Sequence, residues 1–410
     1  MILVFIIPNY SYADDKSVDK YSKTSILIDQ ETGRVLYSKE PDMKVPLASL
    51  SKMMTFLLAI EAIENKEVKE TDKVKIDKSI ASVKGSSYKL KDGEEVPLIE
   101  LMRGLMIVSG NDAAIAIAKH ICKTKEAFVD RMNKKAKEIG MSNTHFLNPN
   151  GLPIYDLSNP KKPAKENIST AKDIAILGKY MFDHYEKQVT AITDMETYTN
   201  SDRSFEKSNT NALLRIIPEV DGIKTGYTGN AGYCLSFSMV VNKNDKNEKK
   251  RRVIGVVLGT NHKNKRTSAS LALLKYGKEN FNMKKVIDKD SFIGKKYIKG
   301  MKELEVTLKA KDELYTILKD DESIKSEVKI KNIEYPVKKG DTMGIIKYYT
   351  NSGDLLGSVD IVSNNSIDNV SLKNKIKNEI CKLNSKNGIK YTKKYKNRKY
   401  GKNIVISSPL

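Results

Sequence analysis

The chain has 410 residues, 40% of them hydrophobic and 30% charged, which is enough apolar material for a sizeable core. At about 150 residues per domain that length suits two to three domains, and no uninterrupted apolar run approaches the ~18–20 residues needed to cross a bilayer. Lys and Arg number 72 against 51 Asp and Glu, and the net charge of +21 favours polyanionic surroundings such as nucleic acid, anionic lipid or an acidic cell wall without bearing on fold.

Residues 2–7 (Ile-Leu-Val-Phe-Ile-Ile) form a short apolar core. Pro8 and Asn9 break it, and Ser11-Tyr12-Ala13 has the small-x-small form of a cleavage site ahead of Asp14-Asp15. Residues 1–13 therefore read as a secretory signal peptide with a truncated basic start, its true beginning upstream of Met1. The alternative is a buried N-terminal strand. Residues 24–37 read as a hairpin around Glu31-Thr32-Gly33. Residues 49–63 are helical and apolar nearly all round, the mark of a helix buried in a core.

Residues 97–121 give two helices separated by Ser109-Gly110-Asn111-Asp112, the second over 113–121. Phe128, Met132, Ala136 and Ile139 recur at helical spacing over 125–139, and Asn148-Pro149-Asn150-Gly151 is a turn. Residues 169–182 read as a helix with Ser169 or Thr170 as N-cap. From Gly222 the period becomes two: Cys234, Ser236 and Ser238 alternate with Leu235, Phe237 and Met239, a charged loop covers 243–252, and 253–258 is a second strand. A short helix at 271–281 ends this segment. Alternating strands at 302–308, 313–318, 325–330, 343–349 and 354–362 then predict a small all-β domain over 282–365. The basic tail at 366–410 carries Leu372, Ile376, Ile380 and Leu383 on one helical face. It reads either as an amphipathic helix on an anionic membrane surface or as a solvated Lys-rich tail.

Three motifs carry chemistry. In Ser49-Leu50-Ser51-Lys52, residues i and i+3 share a helix face, so Ser49 and Lys52 meet while Ser51 points elsewhere. A serine hydroxyl needs a neighbour to take its proton, and a lysine can do so only when burial and a second cation lower its pKa. Ser109-Gly110-Asn111, in a break between helices, offers a hydroxyl to relay a proton and an amide to hold a carbonyl. Lys224-Thr225-Gly226, at a strand, offers a fixed charge, a hydroxyl and room for a ligand backbone. Each alone reads equally well as a cap, a turn or a strand end. Together and in this order, S-x-x-K, S-x-N and K-T-G are the pattern of penicillin-binding proteins and class A β-lactamases. Four histidines without an H-E-x-x-H and three scattered cysteines predict no metal and no cofactor, and no G-x-S-x-G elbow is present.

The chain resembles the low-molecular-mass penicillin-binding proteins, serine-type D-alanyl-D-alanine carboxypeptidases. The resemblance runs through Pro46-Leu47-Ala48-Ser49-Leu50-Ser51-Lys52-Met53-Met54-Thr55, Ser109-Gly110-Asn111-Asp112-Ala113-Ala114, Asn143-Thr144-His145-Phe146 with Asn148-Pro149-Asn150-Gly151-Leu152, Ser169-Thr170-Ala171 with Asp173, Asn209-Thr210-Asn211, and Asp221-Gly222-Ile223-Lys224-Thr225-Gly226-Tyr227-Thr228. It implies an α/β (α+β) serine β-lactamase/penicillin-binding-protein-like transpeptidase fold over 14–281, with the β-rich segment as a C-terminal domain. It also implies a mechanism. Ser49 attacks the penultimate D-Ala carbonyl of a peptidoglycan stem peptide and Lys52 takes its proton. Ser109 passes a proton to the leaving D-Ala, and Asn111 holds the acyl-donor amide. Lys224 supports the proton network and the substrate's charge, while Thr225 and Arg266 meet the terminal carboxylate beside Gly226. The backbone N–H groups of Ser49 and Tyr227 form the oxyanion hole.

The implied partners are a stem peptide ending in D-Ala-D-Ala and β-lactam antibiotics as covalent inhibitors, at the extracytoplasmic face of a bacterial membrane or in its wall. Thr267 and Ala269 stand where many relatives carry an aromatic and an acid. A class A-like β-lactamase would carry a deacylating E-x-x-L-N, which Glu166-Asn167-Ile168-Ser169-Thr170 does not match, so a stable penicilloyl adduct is expected. A D,D-endopeptidase would use the same site. A non-catalytic wall-binding protein fits poorly with the intact motif set, and no nucleic-acid fold motif accompanies the positive charge.

Overall fold

The contacts of the chain fall into two units, Met1–Glu279 and Asn280–Leu410, in a computed structural model that describes residues 18–241, 251–298, 301–367 and 405–406. The expected signal segment, the tip of the charged loop and the expected tail helix lie outside the described residues.

The first unit opens with a hairpin of β1 (Thr24–Asp29) and β2 (Val35–Lys39). The chain then builds its helices: α1 (Lys52–Glu64), α2 (Leu98–Met106), α3 (Asn111–Cys122), α4 (Lys125–Glu138) and α5 (Ala171–Thr193). It returns to the sheet with β3 (Val220–Thr228), β4 (Gly232–Val241) and β5 (Arg251–Thr260), and ends on α6 (Lys263–Asn280). The antiparallel sheet runs β2-β1-β5-β4-β3, because β5 pairs with β1 from Thr24↔Leu258 to Asp29↔Val253.

Strands β1 and β5 are buried on both faces, since helices cover each side of the sheet. On one face Gly178 of α5 sits where a Cβ would lie 3.1 Å from Ile254, and on the other Gly277 of α6 sits where one would lie 2.9 Å from Leu27. Ile28 and Ile254 are cross-strand partners, and Leu27 opposes Gly255, which fixes the two faces. Among the described residues β3 is left at the sheet edge, with β4 as its one neighbour. Helix α1 is buried from Lys52 to Ala62 and fills the centre of the helical half.

Two helices differ from the sequence expectation. α5 continues to Thr193 rather than ending at 182, past non-helical backbone at Tyr185 (φ −138°), and buries Val189 and Ile192 beyond it. α6 starts at Lys263 rather than 271, which puts Arg266 in its first turn. A hairpin of Thr197–Asn200 and Phe205–Ser208 was not anticipated.

Among its described residues the second unit is built of strands beyond the end of α6: β6 (Asn282–Ile287), β7 (Phe292–Ile298), β8 (Met301–Ala310), β9 (Leu314–Leu318), β10 (Ile324–Ile330), β11 (Thr342–Thr350) and β12 (Leu355–Ser363). Its main sheet runs β7-β8-β12-β11-β10, with the two-residue strand Val405–Ile406 beside β10, while β6 pairs with β9. Val306, Leu308, Val328, Ile346, Leu356 and Ile361 lie in its core. The chain stays bonded to this unit through residue 367: Asn365 Oδ1 accepts from Thr307 N at 2.8 Å, and Ile367 pairs with Val337.

Candidate active site

The nucleophile segment is a 3₁₀ turn, Ala48–Ser51, that runs into α1 at Lys52. Residues i and i+3 eclipse in a 3₁₀ turn, so Ser49 stands over Lys52. Ala48 enters the turn with left-handed backbone (φ +47°), a strained conformation for a residue with a Cβ. Ser51 faces away: its hydroxyl donates to Ala48 O at 2.8 Å.

Lys52 is fully buried, and its Nζ has three partners, each at 2.7 Å: Ser49 Oγ, Asn111 Oδ1 and Asn150 O. Two of these are carbonyl oxygens that can only accept. A neutral amine has two N–H bonds for them, and its lone pair then points along the remaining direction, at Ser49. The lysine is held well below its usual pKa, chiefly by burial and next by the charge of Lys224, with Asp112 opposing. The neutral form a proton acceptor requires is thus favoured by the fold itself.

Asn111 opens α3, and it is fixed from the other side: its N donates to Ser86 O at 2.7 Å and its Nδ2 to Lys84 O at 2.8 Å. Asp112 holds the same loop, accepting from Ser87 Oγ (2.7 Å), Tyr88 N (2.9 Å) and Leu90 N (3.2 Å). Ser109 is buried with left-handed backbone (φ +64°), and the three partners of Lys52 do not include it.

The opposite wall is β3. Lys224 is 1% exposed, its Nζ donates to Thr225 O at 3.0 Å, and burial followed by the charge of Arg266 brings it down to about 7. Thr225 Oγ1 donates to Thr210 Oγ1 at 2.7 Å. Gly226 lies against the nucleophile turn: a Cβ there would sit 3.0 Å from Leu47 O and 3.2 Å from Ser49 N. The S-x-x-K turn and the K-T-G strand therefore face one cleft. Tyr227 is 56% exposed and stacks on Tyr233 with ring centroids 4.2 Å apart. The Arg266 guanidinium lies 6.0 Å from the Tyr233 ring centroid, and its buried Nε has no hydrogen-bond partner among the described residues. With β3 at the sheet edge, an extended peptide has main-chain groups to pair with.

In the sequence, residues 148–151 stand out only as a turn and part of the resemblance, yet the carbonyl of Asn150 is a direct partner of Lys52. A backbone acceptor leaves no side-chain signal to read. Thr210 and Tyr233, which hold Thr225 and Tyr227, carry no motif of their own that would mark them. Glu166 engages both carboxylate oxygens, accepting from Thr228 Oγ1 (3.1 Å) and Asn230 Nδ2 (2.7 Å). Among the described residues no three His, Cys, Asp or Glu side chains converge to hold a metal ion.

A family model described as D-alanyl-D-alanine carboxypeptidase matches residues 12–262, and one described as penicillin-binding protein 5, C-terminal domain, matches residues 281–369. The chain is 34% identical over 355 residues to D-alanyl-D-alanine carboxypeptidase DacF of Bacillus subtilis, covering 84% of this chain and 87% of that one. Among solved structures it is similar to penicillin binding protein 5 from Haemophilus influenzae (TM-score 0.68, 29% identity, 85% of this chain and 98% of that one). It is also similar to the peptidoglycan synthesis regulatory factor PBP3 from Streptococcus pneumoniae (TM-score 0.74, 26% identity, 85% and 99%). These matches span both units, and the chain belongs to the D-alanyl-D-alanine carboxypeptidase family of serine peptidases.

Proposed function

We propose that this D-alanyl-D-alanine carboxypeptidase, a hydrolase, removes the terminal D-Ala from peptidoglycan stem peptides through an acyl-enzyme on Ser49. The observation that carries the assignment is the Lys52 amine at 2.7 Å from Ser49 Oγ, with two carbonyl oxygens taking its other positions. As Oγ bonds to the penultimate D-Ala carbonyl carbon, its proton passes to Lys52, and the carbonyl electron pair moves to the oxygen between the Ser49 and Tyr227 N–H groups. Removing one such donor typically costs about 10²–10³ in rate. Ser109 relays the proton to the departing amine as the C–N bond breaks. Asn111 keeps one N–H and one lone pair beyond its bonds to Lys84 O and Lys52, so it can still meet the acyl-donor amide. The Thr225 hydroxyl, Arg266 and Lys224 receive the substrate carboxylate. Water then hydrolyses the ester.

β-Lactams enter the same cleft. Because the Glu166 carboxylate is taken up by Thr228 and Asn230, deacylation is slow. Labelled penicillin should add to Ser49 as a stable adduct seen by mass spectrometry, with no addition to Ser49→Ala. Release of D-Ala from a D-Ala-D-Ala pentapeptide should follow the same pattern. An unmodified Ser49, or rapid turnover of the antibiotic, would overturn this reading.

A cell-wall substrate places the work outside the cytoplasmic membrane, so residues 1–13 act as the export signal and the basic tail as a surface anchor. Among the described residues no helix is long and apolar enough to cross a membrane. Truncation after residue 369, which spares the Ile367–Val337 pairing, should leave the protein in the soluble fraction of lysed cells. A truncated form that still sediments with membranes would put the anchor elsewhere.

A further inference from the structure

Glu166 and Asn167 are both buried, 7% and 1% exposed, and neither takes part in the chemistry above. Asn167 uses its whole hydrogen-bonding capacity. Its Oδ1 accepts from Leu147 N (2.7 Å) and Asn148 N (3.2 Å), and its Nδ2 donates to Ser51 Oγ and Asn148 O, each at 2.8 Å. Its backbone carbonyl accepts from Leu47 N at 3.0 Å.

These contacts join two segments. Leu47 and Ser51 flank Ser49 on either side. Leu147 and Asn148 lead into the turn whose Asn150 carbonyl meets Lys52, and Asn148 Oδ1 closes that turn by accepting from Gly151 N at 2.6 Å. Glu166 points its bonds the other way. Its carboxylate holds Thr228 and Asn230, and Ala231 N donates to Thr228 Oγ1 at 3.1 Å, so the β3–β4 turn beyond Tyr227 is fixed.

We propose that the Glu166-Asn167 pair is a strut across the cleft, in which Asn167 is a positioning residue that seats the Lys52 amine on Ser49 through the Asn150 carbonyl, while Glu166 independently fixes the β3 side. The inference rests on Ser49 as nucleophile and Lys52 as its base. Truncating Asn167 takes this partner from the N–H groups of Leu147 and Asn148 and from the Asn148 carbonyl, while the Ser51 hydroxyl keeps Ala48 O, and the turn at 147–151 loses the bonds that fix it and moves. The Asn150 oxygen then leaves Lys52, and one of the two anchors that aim the lone pair is lost. The charged groups that bear on Lys52, namely Lys224 and Asp112, are untouched.

The test is the pH profile of Ser49 acylation by labelled penicillin, measured on the full chain and on Asn167→Ala, Ser51→Ala and Glu166→Ala. Asn167→Ala should slow acylation about 10²-fold, the scale of a catalytic group misplaced by about 1 Å. It should also move the acid limb to lower pH, because an acceptor that stabilises the ammonium is gone. Ser51→Ala should move the limb the same way by less, and Glu166→Ala should slow acylation without moving it. The proposal fails if Asn167→Ala acylates within threefold of the parent, if its loss only tracks the folded fraction with the limb unmoved, or if Glu166→Ala moves the limb equally. Should Asn167→Ala not fold, Ser51→Ala decides, and an unmoved limb there overturns the strut. Absence of any adduct in the parent protein defeats the catalytic reading instead, so the two failures are distinct.

Discussion

Replacing Lys52 by arginine is expected to slow acylation of Ser49 by roughly 10²–10⁴-fold at every pH, the usual weight of a general base, and to erase the acid limb of the profile. Arginine keeps a long stem and a positive charge but does not lose its proton in proteins. The substitution therefore separates two roles that alanine would confound. If Lys52 served as a fixed charge, arginine would preserve most of the rate, and a variant retaining more than a tenth of the parent rate would refute the base assignment.

The sign of the parent profile follows from the causes of the shift. Burial and Lys224 both disfavour the ammonium form, so Lys52 stays neutral to a pH well below the usual lysine value, and the rate falls only as pH drops through the lowered pKa. Lys224→Ala removes the second of these causes, so the acid limb should move to higher pH. In the free enzyme Lys224 itself loses its charge near pH 7. Recruitment of a carboxylate substrate should then weaken on the alkaline side, and kcat/KM for a D-Ala-D-Ala peptide should be bell-shaped.

Much of this site was legible because its chemistry sits in side chains at fixed short spacing. Ser49 and Lys52 are one turn apart in any helical register, and Lys224, Thr225 and Gly226 are contiguous. What was not legible travels through the backbone or across long separations. Asn150 contributes a carbonyl, the same in every residue. The join of β1 to β5 links residues some two hundred positions apart, and Ile28 and Ile254 look alike whether or not they are neighbours. The far end of α5 was hidden by the polar run Asp183-His184-Tyr185-Glu186-Lys187-Gln188, which interrupts the apolar period before Val189 and Ile192 return to the core. The start of α6 was hidden in the same way, since Lys263 to Ser268 contains no apolar side chain. In the second unit, paired lysines at 284–285 and 295–296 masked β6 and β7, whose alternation is only half buried.

Gly151→Ala is expected to lose acylation at least as severely as it loses stability. A Cβ at this position would lie 1.9 Å from Ala48 O, 2.4 Å from Ala48 C and 3.1 Å from Ser49 N. All three are main-chain atoms, so no rotamer change relieves the overlap, and φ at Gly151 is +82°, where a side chain is strained in any case. One of two segments must move: the turn at 148–151, which carries the Asn150 carbonyl, or the turn that carries Ser49. Either shift separates Lys52 from a partner it now meets at 2.7 Å. Displacement of about 1 Å at such a site costs about 10²-fold in rate.

Gly93→Ala provides the comparison, because its φ is +85° yet nothing lies within 4 Å of an added Cβ. It should lose only the backbone term, about 1–2 kcal/mol in urea unfolding, and acylate at the parent rate. The excess loss in Gly151→Ala then measures the close approach itself. If the two variants acylate alike, the contact between the Asn150 turn and the nucleophile turn does not set the geometry of Lys52, and the role of the Asn150 carbonyl falls with it.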